Sequence, residues 1–370
     1  MRIKRLLNIL SIFLLFIVFL GSKITRAQEM GSLYVQKTYE GVVKNIAEES
    51  KNSNGGYYQK LQVEITDKDL KGKVLIVENG TGDTPVSQKY NKGDGLVLTG
   101  FQDEAGEIHL YVSDYVRRDQ LLSLFLIFLV LSIVIAGKRG FSSFIGMLIT
   151  FFIIFSFVLP KISSGANPIL VILLFSLIAI PITFYLSHGL NKKTNVAIVG
   201  TFISLVITVI LSSIYVGSSK LTGFTTDEAS FLQIIKGGTI NMRGILLAGI
   251  IIGFLGVLDD ITVSQSAIVF QLKDANRRLN FSDLFKRSMD VGKDHIASMI
   301  NTLILVYTGA SLPLLLLFTD STRTFSEVVN YEIISSEIIR TLLGSIGLIL
   351  AVPITTAIAA FVADTLEGGD

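Results

Sequence analysis

The chain has 370 residues, 50% of them hydrophobic and only 17% charged, with a formal net charge of +2 and a mean hydropathy of +0.60. That balance excludes an ordinary water-soluble domain of this length and makes the lipid bilayer its first partner. The 32 Lys and Arg residues are scattered rather than gathered into a stripe, so nucleic acid is not expected as a partner. With no cysteine and three histidines, disulfides, thiolate metal sites and thiol nucleophiles are excluded, and neither a metal nor another cofactor is expected.

In chain order, Arg2, Lys4 and Arg5 precede an apolar run from Leu6 to Leu20, so residues 1–28 read as a signal peptide or an N-terminal transmembrane anchor. Residues 29–118 change character. Alternating runs at Lys37–Ile46, Tyr57–Thr66, Lys73–Val77, Leu96–Phe101 and Glu107–Val116, separated by Asn/Gly turns, predict a small all-β domain, a five-stranded barrel of OB-like type. Residues 119–370 then form a polytopic α-helical membrane domain. Apolar stretches near 120–137, 141–159, 168–187, 195–217, 244–272, 298–318 and 336–364 each approach the roughly 20 residues that span a bilayer. With the first segment counted, about seven or eight transmembrane helices are expected.

Basic residues set the orientation. Lys138 and Arg139, Lys192 and Lys193, and the cluster from Lys273 to Lys293 mark inner joints. The expectation is therefore a multi-pass protein of a bacterial cell membrane, with residues 29–118 extracytoplasmic and the C-terminus cytoplasmic. Residues 273–297 read as an inner pair of amphipathic helices.

The segment Gly244–Leu272 holds the most informative residues, an apolar half followed by Asp259, Asp260, Thr262, Ser264 and Ser266. A carboxylate within a span costs roughly 2.5–3.5 kcal/mol on insertion scales and is therefore expected to serve a function. On a helical wheel Gly249, Gly253, Gly256, Asp260 and Ser264 share one face, with Asp259, Thr262 and Ser266 on the adjoining stripe. The glycines are the candidate helix-packing residues. Asp259, Asp260, Thr262, Ser264, Ser266 and Asn301 are the candidate ion- or substrate-binding residues. The bland alternative ends the helix near Leu258, with the acidic pair at the surface or capping a second helix. Hydroxyl stripes at Thr201, Ser204, Thr208 and Ser212, and at Ser298, Asn301 and Thr308, line a path or bind helices together. No Walker A, GxSxG or HExxH pattern is present, and no enzyme activity is expected. Adjacent carboxylates diverge by about 100° on a helix, which argues against an aspartyl hydrolase, whose two carboxylates must meet.

Gly249–Leu272, Val291–Leu303 and Leu342–Thr356, together with Gly137–Gly140 and Ser187–Gly189, resemble the bacterial YibE/F family of multi-pass membrane proteins over roughly residues 115–365. The outer domain makes the chain similar to the longer, YibE-type members. That resemblance implies a shorter homologous YibF-like membrane subunit, or a homo-oligomer, as partner; it implies no substrate and no site residue. The functional expectation is a transporter or permease for a small solute or ion, with the acidic pair as a proton or cation site. The alternative is a non-transporting membrane scaffold or envelope assembly factor.

Overall fold

The computed structural model describes residues 37–51, 56–80, 88–102, 108–319 and 323–367; the N-terminal segment read as a signal or anchor lies outside them. The chain divides into two compact units, separated between Leu126 and Ile127.

In the first unit, β1 (Lys37–Lys51), β2 (Tyr57–Ile65), β3 (Val74–Asn79), β4 (Gly95–Gln102) and β5 (Ile108–Tyr115) close into a barrel in the order β1-β2-β3-β5-β4. Only β3 and β5 pair in parallel. Alternation builds the core: along β2, Gln59, Leu61, Val63 and Ile65 point inward to meet Tyr39, Val43, Val77, Leu96 and Leu98. β1 runs five residues beyond its predicted end at Ile46, because bulges after Val43 and Ile46 bend it so that it pairs with both β4 and β2. The buried polar residue on β2 is fully used. Gln59 Nε2 donates to the Tyr90 carbonyl at 2.9 Å, its Oε1 accepts from Tyr90 N at 2.9 Å, and Asn79 Nδ2 donates to the Gln88 carbonyl at 2.9 Å. These bonds pin the segment entering β4, and burial pushes the Tyr90 phenol up to about 12.

The helices that follow are α1 (Arg118–Ile153), a π-helical segment Ile154–Val158, α2 (Leu159–Ser163), α3 (Pro168–His188), α4 (Lys192–Ser218), α5 (Asp227–Ile235), α6 (Met242–Ala275), α7 (Phe281–Ala310), α8 (Leu312–Thr319), α9 (Phe325–Val328) and α10 (Glu332–Glu367). Asparagine starts many of them. The side chains of Asn167, Asn191, Asn241 and Asn280 each accept a first-turn backbone N–H of α3, α4, α6 and α7.

Among the described residues five helices are long and apolar enough to cross a membrane, or six with the bent pair α7 and α8 counted as one span. The sequence count was larger because it separated 120–137 from 141–159. Here both lie in one stretch, Arg118–Ser163, interrupted at Gly137. With φ 59° and ψ −132°, Gly137 occupies a region that other residues avoid. A Cβ at Gly140 would overlap the Ser132 carbonyl oxygen, which in a straight helix lies about 12 Å away, so the chain is sharply bent there.

The predicted helix pair at 273–297 is replaced by one helix. α7 starts at the Asn280 cap and runs unbroken through the former boundary near 298, because nothing between Phe281 and Ala310 interrupts its hydrogen bonding. The break comes later, a 69° bend between α7 and α8, where Pro313 withholds a backbone donor. α10 continues through Pro353.

In the second unit α4, α6 and α10 pack on one another, with α7 against α10 and α3 against α6. Leu205, Ile251, Phe254, Leu258, Ile261, Leu348 and Val352 form the centre of the apolar core. Close approach is made at glycines that the wheel did not single out. A Cβ at Gly347 would overlap Phe254 and Thr208, one at Gly200 would overlap Thr355, and one at Gly292 would come within 2.6 Å of Val352 Cγ1.

Candidate functional site

α6 is continuous from Met242 to Ala275, so the acidic pair caps nothing and lies within a helix of 34 residues. Ser266 Oγ donates to the Lys193 carbonyl at 2.8 Å, which puts that turn of α6 level with the start of α4. Asp260 is six residues earlier, about 9 Å along the axis from that level.

The two carboxylates have different surroundings. Asp259 is half-buried, and its Oδ1 is shielded from solvent without a hydrogen-bond partner. Asp260, turned away by about 100°, is exposed; it and Arg139 lie within electrostatic reach of His188, the last residue of α3. Gly249, Gly253 and Gly256 are exposed on the same face as Asp260. A Cβ at Gly249 or Gly256 would meet nothing, and at Gly253 only the Tyr307 hydroxyl at 3.3 Å. Within this chain the predicted glycine face is therefore open rather than packed.

The remaining candidates separate from the pair. Thr262 is fully buried, with its hydroxyl 2.8 Å from that of Thr201 and 2.9 Å from the Leu258 carbonyl. Together with Ser266 it binds α6 to α4. Ser264 is half-buried, and Asn301 is exposed on α7. Of the hydroxyl stripe on α4, Thr201, Ser204 and Thr208 each donate to a carbonyl four residues back, at 2.8–2.9 Å. These three bond to carbonyls of their own helix, whereas the Ser212 hydroxyl is buried without a partner. Ser298 and Thr308 are exposed.

Residues not singled out from the sequence as candidates also carry buried polarity. Gln265 is fully buried, its Nε2 donating to the Ser288 carbonyl at 2.8 Å while its Oε1 has no partner. Its signal was its place in the Ser264-Gln265-Ser266 run. Lys273, assigned to an inner surface, is 3% exposed; its Nζ donates to the Leu279 carbonyl at 2.8 Å and lies 3.3 Å from Asp364 Oδ1. Its acidic partner stands 91 residues away, which local pattern cannot reveal.

A family model described as YibE/F-like protein matches residues 124–365. The chain belongs to that family. No curated protein and no solved structure matches it. The YibE/F-like region contains the acidic pair, the hydroxyl seam and the buried lysine, whereas the barrel precedes it. Among the described residues no three His, Asp or Glu side chains are grouped to hold a metal. What the arrangement offers chemically is one shielded carboxylate beside one open carboxylate, a pair suited to holding a proton or a cation.

Proposed function

We propose that this YibE/F-like protein is a membrane permease for a proton or small cation, with Asp259 and Asp260 as the groups that load and release it. The observation carrying this reading is the Asp259 Oδ1, shielded inside an unbroken apolar helix with no donor to satisfy it. A buried acceptor left without a partner costs about 1–3 kcal/mol, and more when charged. A proton or cation bound there removes that penalty. Asp260 and half-buried Ser264 offer the next oxygens toward the open face, while the α4 hydroxyls act as packing contacts.

The finer topology follows the same reading. The bend at Gly137 supports counting its two limbs as separate spans, which gives seven with α7 and α8 taken together and eight with the first apolar segment. Lys138 and Arg139 at the bend, Lys192 and Lys193 before α4, and the basic residues from Lys273 onward support an inner location for those joints, with the barrel outside a bacterial cell membrane. The parallel β3–β5 closure supports the OB-like reading of the barrel. The open Gly249/Gly253/Gly256 face fits a neighbouring helix, from a second copy or a shorter YibF-like chain.

The test is proton and monovalent-cation flux in liposomes carrying the full chain. Asp259→Asn should abolish flux and Asp260→Asn reduce it, both with wild-type abundance in the membrane. Unchanged flux in the double Asn variant would remove the pair from the mechanism.

A further inference from the structure

Away from the acidic pair, the 69° bend between α7 and α8 opens a cleft of about 560 Å³ against α9 and the first half of α10. Its walls are aliphatic and aromatic, among them Leu315, Phe318, Val328 and Ile338, with few polar groups. Volume and lining are those of a ligand site. Leu342 and Phe325 on its rim are exposed, so in a bilayer the cleft opens to acyl chains. A smaller space of about 290 Å³ shares the wall of Ser311, Leu314 and Glu337 and adds Thr225, Thr226 and Arg340.

Arg340 lines the smaller space, beside the larger and mostly apolar cleft. Arg340 Nη1 donates to Glu337 Oε1 at 3.0 Å, but Arg340 Nε is shielded from solvent and has no acceptor. A guanidinium carries five N–H donors, so one carboxylate leaves most of them unused. Arg323, set 4.7 Å over the Tyr331 ring, adds a second cation at the larger cleft. Among the described lining residues, two arginines therefore face one carboxylate, which leaves positive charge beside the apolar cleft.

We infer that this cleft binds a single-chain anionic amphiphile drawn from the surrounding bilayer. Its acyl chain fills the apolar cleft and its headgroup oxygen accepts from Arg340. The site is independent of the acidic pair and of whether the protein transports anything.

The experiment uses the full chain in zwitterionic nanodiscs and a palmitic-acid analogue carrying a photoreactive diazirine near its methyl end. Cross-links should concentrate between residues 304 and 342. Excess palmitate should displace them and methyl palmitate should not. Thr308→Phe, which fills the cleft from an exposed position, should lower labelling about tenfold, equivalent to about 1.4 kcal/mol. Arg340→Gln should abolish the preference for acid over ester; should that variant fail to fold, Thr308→Phe still decides. Labelling spread along the lipid-facing sides of α3 and α4, insensitive to Thr308→Phe, or displaced equally by acid and ester, would overturn the assignment.

Discussion

A methyl group separates the packed glycines from the open ones. At Gly347 it would overlap the Phe254 ring and the Thr208 hydroxyl, whereas at Gly249 or Gly256 it would meet no atom. Overpacking a tight contact costs about 1–3 kcal/mol. Gly347→Ala should therefore lower the thermal midpoint of the detergent-solubilised protein by several degrees, while Gly249→Ala and Gly256→Ala leave it near wild type. Equal losses at all three positions would mean that the open face is covered. The wheel placed Gly249, Gly253, Gly256 and Asp260 on one face correctly, but spacing alone does not say which face of a helix finds a neighbour. In the barrel, Tyr90 supplies a pH prediction. Its folded pKa is raised to about 12, so the stability it contributes is complete below its unfolded value near 10 and is lost as pH rises through 12. An ultraviolet titration of phenolate formation should show a signal near the top of the range that is smaller by one tyrosine in Tyr90→Phe than in wild type.

The joints between elements are tied by groups distant in sequence. Lys273 at the end of α6 binds the Leu279 carbonyl before α7 and Asp364 near the end of α10, and Asp364 Oδ2 also accepts from Phe281 N at 3.0 Å. The two ends of the ion pair are unequal, because Lys273 is buried while the Asp364 side chain is 36% exposed. Removing the carboxylate strands a buried ammonium; removing the lysine leaves a carboxylate that still has water and a backbone donor. Asp364→Ala should consequently destabilise the helix ends more than Lys273→Met, read as faster proteolysis between residues 276 and 280; the opposite order would reverse the assignment of which group bears the burial. All five strands were legible because alternation runs unbroken along β2 and through most of the other strands, the bulges of β1 excepted. α3, α4 and α10 were legible as apolar runs, although α10 begins at Glu332, earlier than its run predicted. The break at Gly137 was legible as a joint between two apolar runs, though not its dihedral angles; the continuity of α7 was not legible, since it depends on the absence of any local stop.

Across the whole molecule, sidedness is testable without background because the chain has no native cysteine. A cysteine placed at Ser164 should react with an impermeant thiol reagent in intact cells, and one at Arg139 or Lys192 only after permeabilisation. The reverse pattern would invert the topology. Composition alone pointed to association with a membrane, in keeping with the five long apolar helices among the described residues, and the pattern change near residue 118 located the barrel. How the helices sort into a central group of α4, α6 and α10 with α7 at its side was not legible, because uniformly apolar helices carry little directional signal. That sorting has a mechanical consequence. Ser204 and Thr208 have spent their protons on carbonyls of their own helix, so a slide of α4 along α6 leaves those donors satisfied and strands the buried Ser266 hydroxyl, whose acceptor is the Lys193 carbonyl. The resistance at this seam is dispersion plus the bonds at Thr262 and Ser266, each about 1 kcal/mol. A small shear of α6 past α4 would therefore work against these two bonds, and it would carry the shielded carboxylate of Asp259 along the face of α4.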